Sequence, residues 1–207
     1  PPMANTKFWD DRYRQDAYVY GTAPNAFLAE AAQEHFPEPP AAVIDLGAGE
    51  GRTSVFFATR GYNVKALDAS KVGLQKAHQL AAERGVSIET YRQDLTGWTP
   101  DDTVDAVVCS FLHFAPADRP RLYRMMQQAV RTEGLVVAEW FRPEQITEGY
   151  DSGGPPELDL MITVDELRQH FPAEGILQLS DATPTLDEGA HHSGPGATVR
   201  LVWRKGQ

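Results

Sequence analysis

The chain has 207 residues, enough for one substantial α/β core and too few for two comfortable domains, so one domain is expected. A net charge of −10 leaves no basic surface to release counterions from a phosphate backbone, which argues against nucleic acid as a partner. The one cysteine, Cys109, lies in the apolar run VDAVVCSF and reads as a small buried hydrophobe in a reducing compartment, not as half of a disulfide. No apolar stretch of about 18 residues and no charged-then-apolar leader occurs, so neither a membrane span nor a signal peptide is expected and the setting reads as cytoplasmic. Pro1 and Pro2 ahead of Met3 read as an addition in front of a start methionine.

Along the chain, short apolar β-rich runs alternate with segments of helical period, the pattern of repeated βα units around a parallel sheet. The first strand is expected over Ala42 to Leu46, followed by a helix from about Thr53 that closes at Gly61. Asn63 to Leu67 is the second strand. Ser70 then caps a helix burying Leu74, Ala77, Leu80 and Ala81, which Gly85 ends. VSIETYR, residues 86–92, alternates as the third strand, and Val104 to Cys109 is the fourth. Asp118 caps a helix with Leu122, Met125, Met126, Ala129 and Val130 on one face, stopped by Gly134; core packing explains these methionines more simply than a cofactor box does. LVVAEW is the fifth strand, residues 142–160 form a long loop, and Thr163 with Glu166 makes a capping box for the next helix. Two strands, ILQLSDA and ATVRLVW, close the chain around the loop TPTLDEGAHHSGPG.

A glycine turn directly after the first strand lies at the carboxyl edge of such a sheet, where open α/β folds bind ligands. The stretch VIDLGAGEGR, however, does not meet the dinucleotide fingerprint, because Arg52 stands where the third glycine should pack helix against strand. No GK[ST] follows, so a triphosphate cradle is also unsupported. The pattern is an acid, a spacer, then alternating glycines: Asp45, Gly47, Gly49, Gly51. It resembles the first motif of the class I S-adenosylmethionine-dependent methyltransferases. Asp68 ends the second strand about twenty residues past the glycines, where a carboxylate takes both ribose hydroxyls. Asp45 either contacts the ligand or only fixes the glycine loop. The resemblance implies that Asp94, in RQDL, binds the adenine amino group with Leu95 beside it, and that Ala48, Ala69 and Ser110 complete the cofactor site. It also implies a Rossmann-like, doubly wound, seven-stranded, mostly parallel sheet with an antiparallel last strand. A sulfonium cation wants carboxylates, carbonyls and aromatic faces and has no pyrophosphate to seat, which suits a loop surrounded by acids.

Methyl transfer is an in-line displacement at carbon, so the protein's main tasks are alignment and exclusion of water. After strand four, SFLHF brings His113, with Phe111 and Phe114 as walls; after strand five, EWFRPEQ brings Glu139, Trp140 and Arg142, the last either steering an anion or forming a surface ion pair. FWDDRYRQDAYVYGTAPNAFLAE concentrates Phe8, Trp9, Tyr13, Tyr18 and Tyr20, more aromatics than a solvated leader needs, and reads as a lid. That stretch, with EGAHHSGPG, resembles the tellurite-resistance, thiopurine and thiol methyltransferases. Residues 1–40 are accordingly read as lid and first helix, and 41–207 as the S-adenosylmethionine-binding core. If the sixth strand runs parallel to the first five, His191 and His192 face the rim of the site, and their opposite directions in an extended loop let only one, His192 for preference, reach a substrate. Adjacent histidines chelate poorly, so no metal is expected.

The expected activity is methyl transfer from S-adenosylmethionine to a small molecule, with tellurium or selenium oxyanions or thiols as the acceptors implied by the resemblance. A metabolite O- or N-methyltransferase using a histidine base is the alternative, and a non-catalytic S-adenosylmethionine-binding protein is the alternative of another kind. Oligomeric state is not legible in the sequence.

Overall fold

The structure, a computed structural model, describes residues 6–207, so Pro1, Pro2 and Met3 lie outside the described residues. Two helices, α1 (Thr6–Tyr13) and α2 (Ala26–His35), precede the sheet. The βα units follow: β1 (Ala42–Leu46), α3 (Arg52–Thr59), β2 (Asn63–Asp68), α4 (Lys71–Glu83), β3 (Glu89–Arg92), β4 (Val104–Ser110), α5 (Arg119–Ala129) and β5 (Val130–Phe141). The remainder comprises α6 (Glu144–Thr147), α7 (Val164–His170), β6 (Ile176–Ala182), β7 (Thr185–Asp187), β8 (Ser193–Pro195) and β9 (Thr198–Arg204).

Among the described residues the main sheet has seven strands in the order β3-β2-β1-β4-β5-β9-β6. β1 to β5 pair in parallel and β9 runs antiparallel to both β5 and β6, so β6 keeps the direction of the first five. This is the doubly wound, Rossmann-like sheet expected from the βα alternation. Successive residues of the central strands serve opposite faces: Val107 and Cys109 of β4 join the layer under α5 and α7 with Leu122, Met126 and Phe171, while Ala106 and Val108 join the layer under α2, α3 and α4 with Leu28, Val55 and Leu74. Cys109 is a buried free thiol whose ionisation burial pushes far up, so it is inert packing.

Local expectations differ from the structure in several places. The third strand is shorter than residues 86–92, because Val86 to Ile88 turn in from α4 before pairing with β2 begins at Glu89. The fifth helix ends at Ala129, not Gly134; residues 131–134 bulge out of β5 between the pairs Val104–Val130 and Ala106–Leu135, with Glu133 at φ 64. Asp118 occupies the position before α5 but its side chain makes no cap bond. Thr163 does accept from the Glu166 amide (3.1 Å), yet the Glu166 carboxylate does not return to Thr163 and instead takes the Tyr123 hydroxyl (2.8 Å) and Arg119 (3.0 Å). The stretch expected as one long loop holds α6 and a 3₁₀ turn at Leu158–Leu160, and the last loop closes on itself as the ribbon β7–β8.

The turn from β1 into α3 packs closely against α4. Gly51 caps α3 at φ 86, and a Cβ there would lie 2.5 Å from the Ala77 Cβ of α4. Both the left-handed backbone and the overlap penalise any side chain, so Gly51→Ala is expected to cost about 2–5 kcal/mol of stability. Urea unfolding measures it, and a loss below about 1 kcal/mol would mean that α4 can move aside.

Candidate active site

A cavity of about 250 Å³ opens at the carboxyl edge of the sheet, beside the β1/β4 boundary where strand order reverses. Its floor is Asp45 and the loop Gly47–Glu50 after β1, Asp68 at the end of β2, and Arg52 and Thr53 at the start of α3. Ser110 to His113 after β4 and Phe141 at the end of β5 form one wall, and Gly153 to Pro156 with His191 and His192 form another. Phe8, Trp9, Arg12, Tyr13 and Tyr20 close it from the N-terminal segment.

The floor is built around two buried carboxylates. Asp68 accepts from the Gly49 amide (2.8 Å) and the Ser70 amide (2.7 Å), and Asp45 accepts from the Ser54 hydroxyl (2.6 Å). Burial raises each to about 6, against the hydrogen bonds that hold the ionised form. Each Asp68 oxygen uses one lone pair in these contacts, so the carboxylate retains acceptor capacity for a ligand.

The N-terminal segment is fastened over this floor by specific bonds. Asp10 accepts from the Ser70 hydroxyl (2.5 Å), while Ser70 caps α4 by accepting from Gly73 (3.0 Å). Lys76 donates to the carbonyls of Gln15 (2.9 Å) and Ala17 (2.8 Å) and pairs with Glu50 (2.5 Å), which in turn accepts from the Val19 amide (2.8 Å). The Tyr13 hydroxyl stands 2.8 Å from where a Cβ on Gly49 would be, so the absence of a side chain there lets the N-terminal segment reach the loop. Among the described residues three buried polar atoms on the cavity wall lack a partner: Trp9 Nε1, Arg52 Nη1 and Thr53 Oγ1. Such groups are costly unless a ligand or water answers them.

The two histidines of the cavity are wired differently. His113 Nδ1 donates to the Leu160 carbonyl (2.9 Å), Nε2 accepts from the Phe141 amide (3.3 Å), and burial lowers its pKa to about 4. It is a neutral structural tie with no nitrogen to spare. His192 is buried, its Nδ1 lies 3.4 Å from Glu188 Oε2, and its ring packs against Tyr20, Phe111 and Phe141. Nε2 has no hydrogen-bond partner among the described residues. Burial lowers the His192 pKa, opposed by Glu188. Phe111 holds φ 54, a left-handed backbone that a bulky residue adopts only under constraint, and its amide donates to the Glu139 carbonyl (2.8 Å).

Of the residues singled out in the sequence, the cavity gathers Phe8, Trp9, Tyr13, Tyr20, Asp45, Gly47, Ala48, Gly49, Asp68, Ser110, Phe111, His113, His191 and His192. His191 is exposed at the rim. The others lie elsewhere. Tyr18 sits beneath the Lys76 ammonium, 4.9 Å from its ring centre, and Leu95, Phe114 and Trp140 are core, Trp140 donating to the Leu112 carbonyl (3.0 Å). Asp94 is exposed and accepts from Thr96 (3.0 Å), while Ala69 offers its carbonyl to Arg92 (3.3 Å). Arg142 does not line this cavity; it pairs with Glu144 (2.6 Å) and lies 4.0 Å from Asp181. Glu188, Arg52 and Asn25 were not legible as site residues, since loop-type sequence hides a carboxylate that only tertiary contacts bury. Asn25 does carry a signal, standing three residues ahead of Leu28 in the N-cap position of α2.

At the carboxyl edge of the Rossmann-like sheet the structure brings together an acid–glycine loop, a second acid ending β2 and an aromatic cover. Residues 43–134 match the family described as methyltransferase domain. The chain is similar to the uncharacterized methyltransferase YcgJ of Bacillus subtilis, 26% identical over 119 residues, covering 56% of this chain and 45% of that protein. It spans about half the length of the curated relatives it matches. Two solved structures share the fold: one reported for the conversion of a disulfide bond into a thioacetal group during echinomycin biosynthesis (TM-score 0.76, 20% identity, 97% of this chain and 91% of that one), and TehB from Haemophilus influenzae (TM-score 0.70, 16% identity, 97% and 66%). The cavity thus combines two buried carboxylates, Asp45 and Asp68, with three buried donors that lack a partner among the described residues, Trp9 Nε1, Arg52 Nη1 and Thr53 Oγ1. No helix among the described residues is long and apolar enough to cross a membrane.

Proposed function

We propose that the protein transfers a methyl group from S-adenosylmethionine to a small protic acceptor, a hydroxyl, amine or thiol, whose proton passes to His192 Nε2. The observation that carries this reading is the wiring of His192: Nδ1 toward Glu188, and Nε2 without a partner among the described residues, on the wall of a cavity lined by aromatic rings. Asp68 would hold the ribose hydroxyls, and Trp9 Nε1, Arg52 Nη1 and Thr53 Oγ1 the methionyl carboxylate. S-adenosylmethionine supplies, when bound, a methyl group on a positively charged sulfur that accepts a nucleophile's electron pair. The chain's own part is to exclude water beneath Trp9, Tyr13 and Tyr20, to press the acceptor against Phe111 and Phe141, and to take its proton. The segment up to residue 40 acts as lid and entry helix, on the support of its fastening to Ser70, Lys76 and Glu50. A cytoplasmic setting goes with this reading, supported by the lone buried thiol Cys109.

Incubating the protein with methyl-labelled S-adenosylmethionine and a panel of phenols, amines, thiols, tellurite and selenite tests it. Transfer to a protic acceptor, with a rate that rises with pH through the titration of one group, is expected. Transfer confined to the oxyanions, which need no base, would replace the acceptor class, and binding without transfer to any acceptor would leave a cofactor-binding protein.

A further inference from the structure

We propose that Glu188 is the positioning residue for His192, deciding which imidazole nitrogen carries the proton, and that Asn25 and Arg52 hold Glu188 ionised and in place. This rests on the reading of His192 as the proton acceptor.

Glu188 is buried and surrounded by donors: Arg52 Nη2 on Oε2 (2.8 Å), Asn25 Nδ2 on Oε1 (3.0 Å) and His192 Nδ1 toward Oε2 (3.4 Å). The direction of the Asn25 amide is forced. Its Oδ1 accepts from the Leu28 amide to cap α2 (2.9 Å), so both hydrogens of its NH₂ group point the other way, one to Glu188 and one to Glu139 Oε2 (2.6 Å). Glu139 is itself answered by Arg200 (2.7 Å) and the Thr198 hydroxyl (2.8 Å), so the network is anchored in the paired strands β5 and β9. The turn carrying the pair cannot slide, because Glu188 donates its amide to the His192 carbonyl (2.8 Å) and Gly189 packs on the backbone of Tyr20 and Gly21 with no room for a Cβ. A carboxylate fixed against Nδ1 keeps that nitrogen protonated in the neutral imidazole and leaves the lone pair on Nε2, the nitrogen without a protein partner.

The charged and titratable groups facing His192 are Glu188 and His191 from its own ribbon, Arg52 from α3, Tyr20 from the N-terminal segment and His113 from the loop after β4; Phe111, Phe141 and Gly153 bring none. Of the two strongest, Glu188 favours the imidazolium and Arg52 opposes it. Replacing Glu188 by glutamine removes the attraction and keeps an acceptor of the same shape.

The test is Glu188→Gln on the full chain, read by nitrogen NMR of histidine-labelled protein without substrate, with His192→Gln assigning the signal. Wild type is expected to show the Nδ1–H tautomer, and E188Q a lower His192 titration midpoint with mixed tautomers. In turnover, the acid limb of kcat should move to lower pH and the plateau should fall about 10- to 100-fold. Asn25→Asp preserves the helix cap but sets a carboxylate against Glu188, and should move the midpoint upward. An unchanged tautomer and midpoint in E188Q would overturn the proposal even if kcat fell, since that is what a merely structural role gives. A shifted midpoint in a protein that methylates no member of the panel upholds the pairing and removes the function assigned to the site.

Discussion

Asp68→Ala is expected to weaken S-adenosylmethionine binding by about 2–3 kcal/mol, roughly 30- to 150-fold, because it removes the charge-assisted acceptor proposed for two ribose hydroxyls. Titration calorimetry with the cofactor or its demethylated product measures this, and a thermal melt separates it from the loss of the Gly49 and Ser70 contacts. Unchanged affinity in a folded variant would remove Asp68 from the cofactor site. The raised pKa adds a second readout. Buried Asp68 titrates near 6, so above that pH it is the full acceptor and below it one oxygen carries a proton; cofactor affinity should therefore fall as pH drops through about 6. Stability runs the other way. Asp45 and Asp68 are both raised to about 6 from an unfolded value near 3.9, so the folded chain binds more protons between those limits. Their contribution to stability is fully present below pH ~4 and is lost as pH rises through about 6. A bound cation would compensate, so the cofactor should stabilise the protein more at pH 8 than at pH 5.

His192→Ala is expected to cut kcat about 10²-fold or more while leaving cofactor affinity nearly intact, because it deletes the proposed proton acceptor, which makes no hydrogen bond to the groups proposed to hold the cofactor. His191→Ala, at the exposed rim, should be nearly silent. His113→Ala should lower the melting temperature, since it breaks the tie between Leu160 and Phe141, without moving the pH profile of whatever activity remains. The acid limb of that profile should fall below pH 6.5, the unperturbed imidazole value, because burial outweighs Glu188 in setting the His192 pKa. Comparable losses of kcat in all three variants at unchanged melting temperature would contradict the division of labour seen in the hydrogen bonds.

The sheet was legible because its signals are local. An apolar run, a glycine turn and a capped helix each announce themselves within about ten residues, and Ser70 accepts from the Gly73 amide as the sequence implies. β5 shows where locality stops. Gly134 reads as a helix stop, but pairing with Val104 of β4 draws Val130 into the sheet and leaves the glycine in a bulge. The glycine loop, Asp45 and Asp68 could be placed at one edge because parallel strands deliver every β-to-α turn to the same side.

What the sequence determined by itself was therefore the fold class, the position of the ligand edge and the acids most exposed to that edge by topology. Tertiary structure alone decided which residues reach the cavity and in what state. It turned Trp140, Phe114 and Leu95 into core and tied Arg142 to Glu144. It also spent both nitrogens of His113 on backbone and set His192 against a buried glutamate that reads in sequence as loop. The physical reason is that periodicity encodes which face of an element is apolar, whereas hydrogen-bond partners are chosen among groups brought together from distant segments, as Asn25 and Glu188 are across 163 residues.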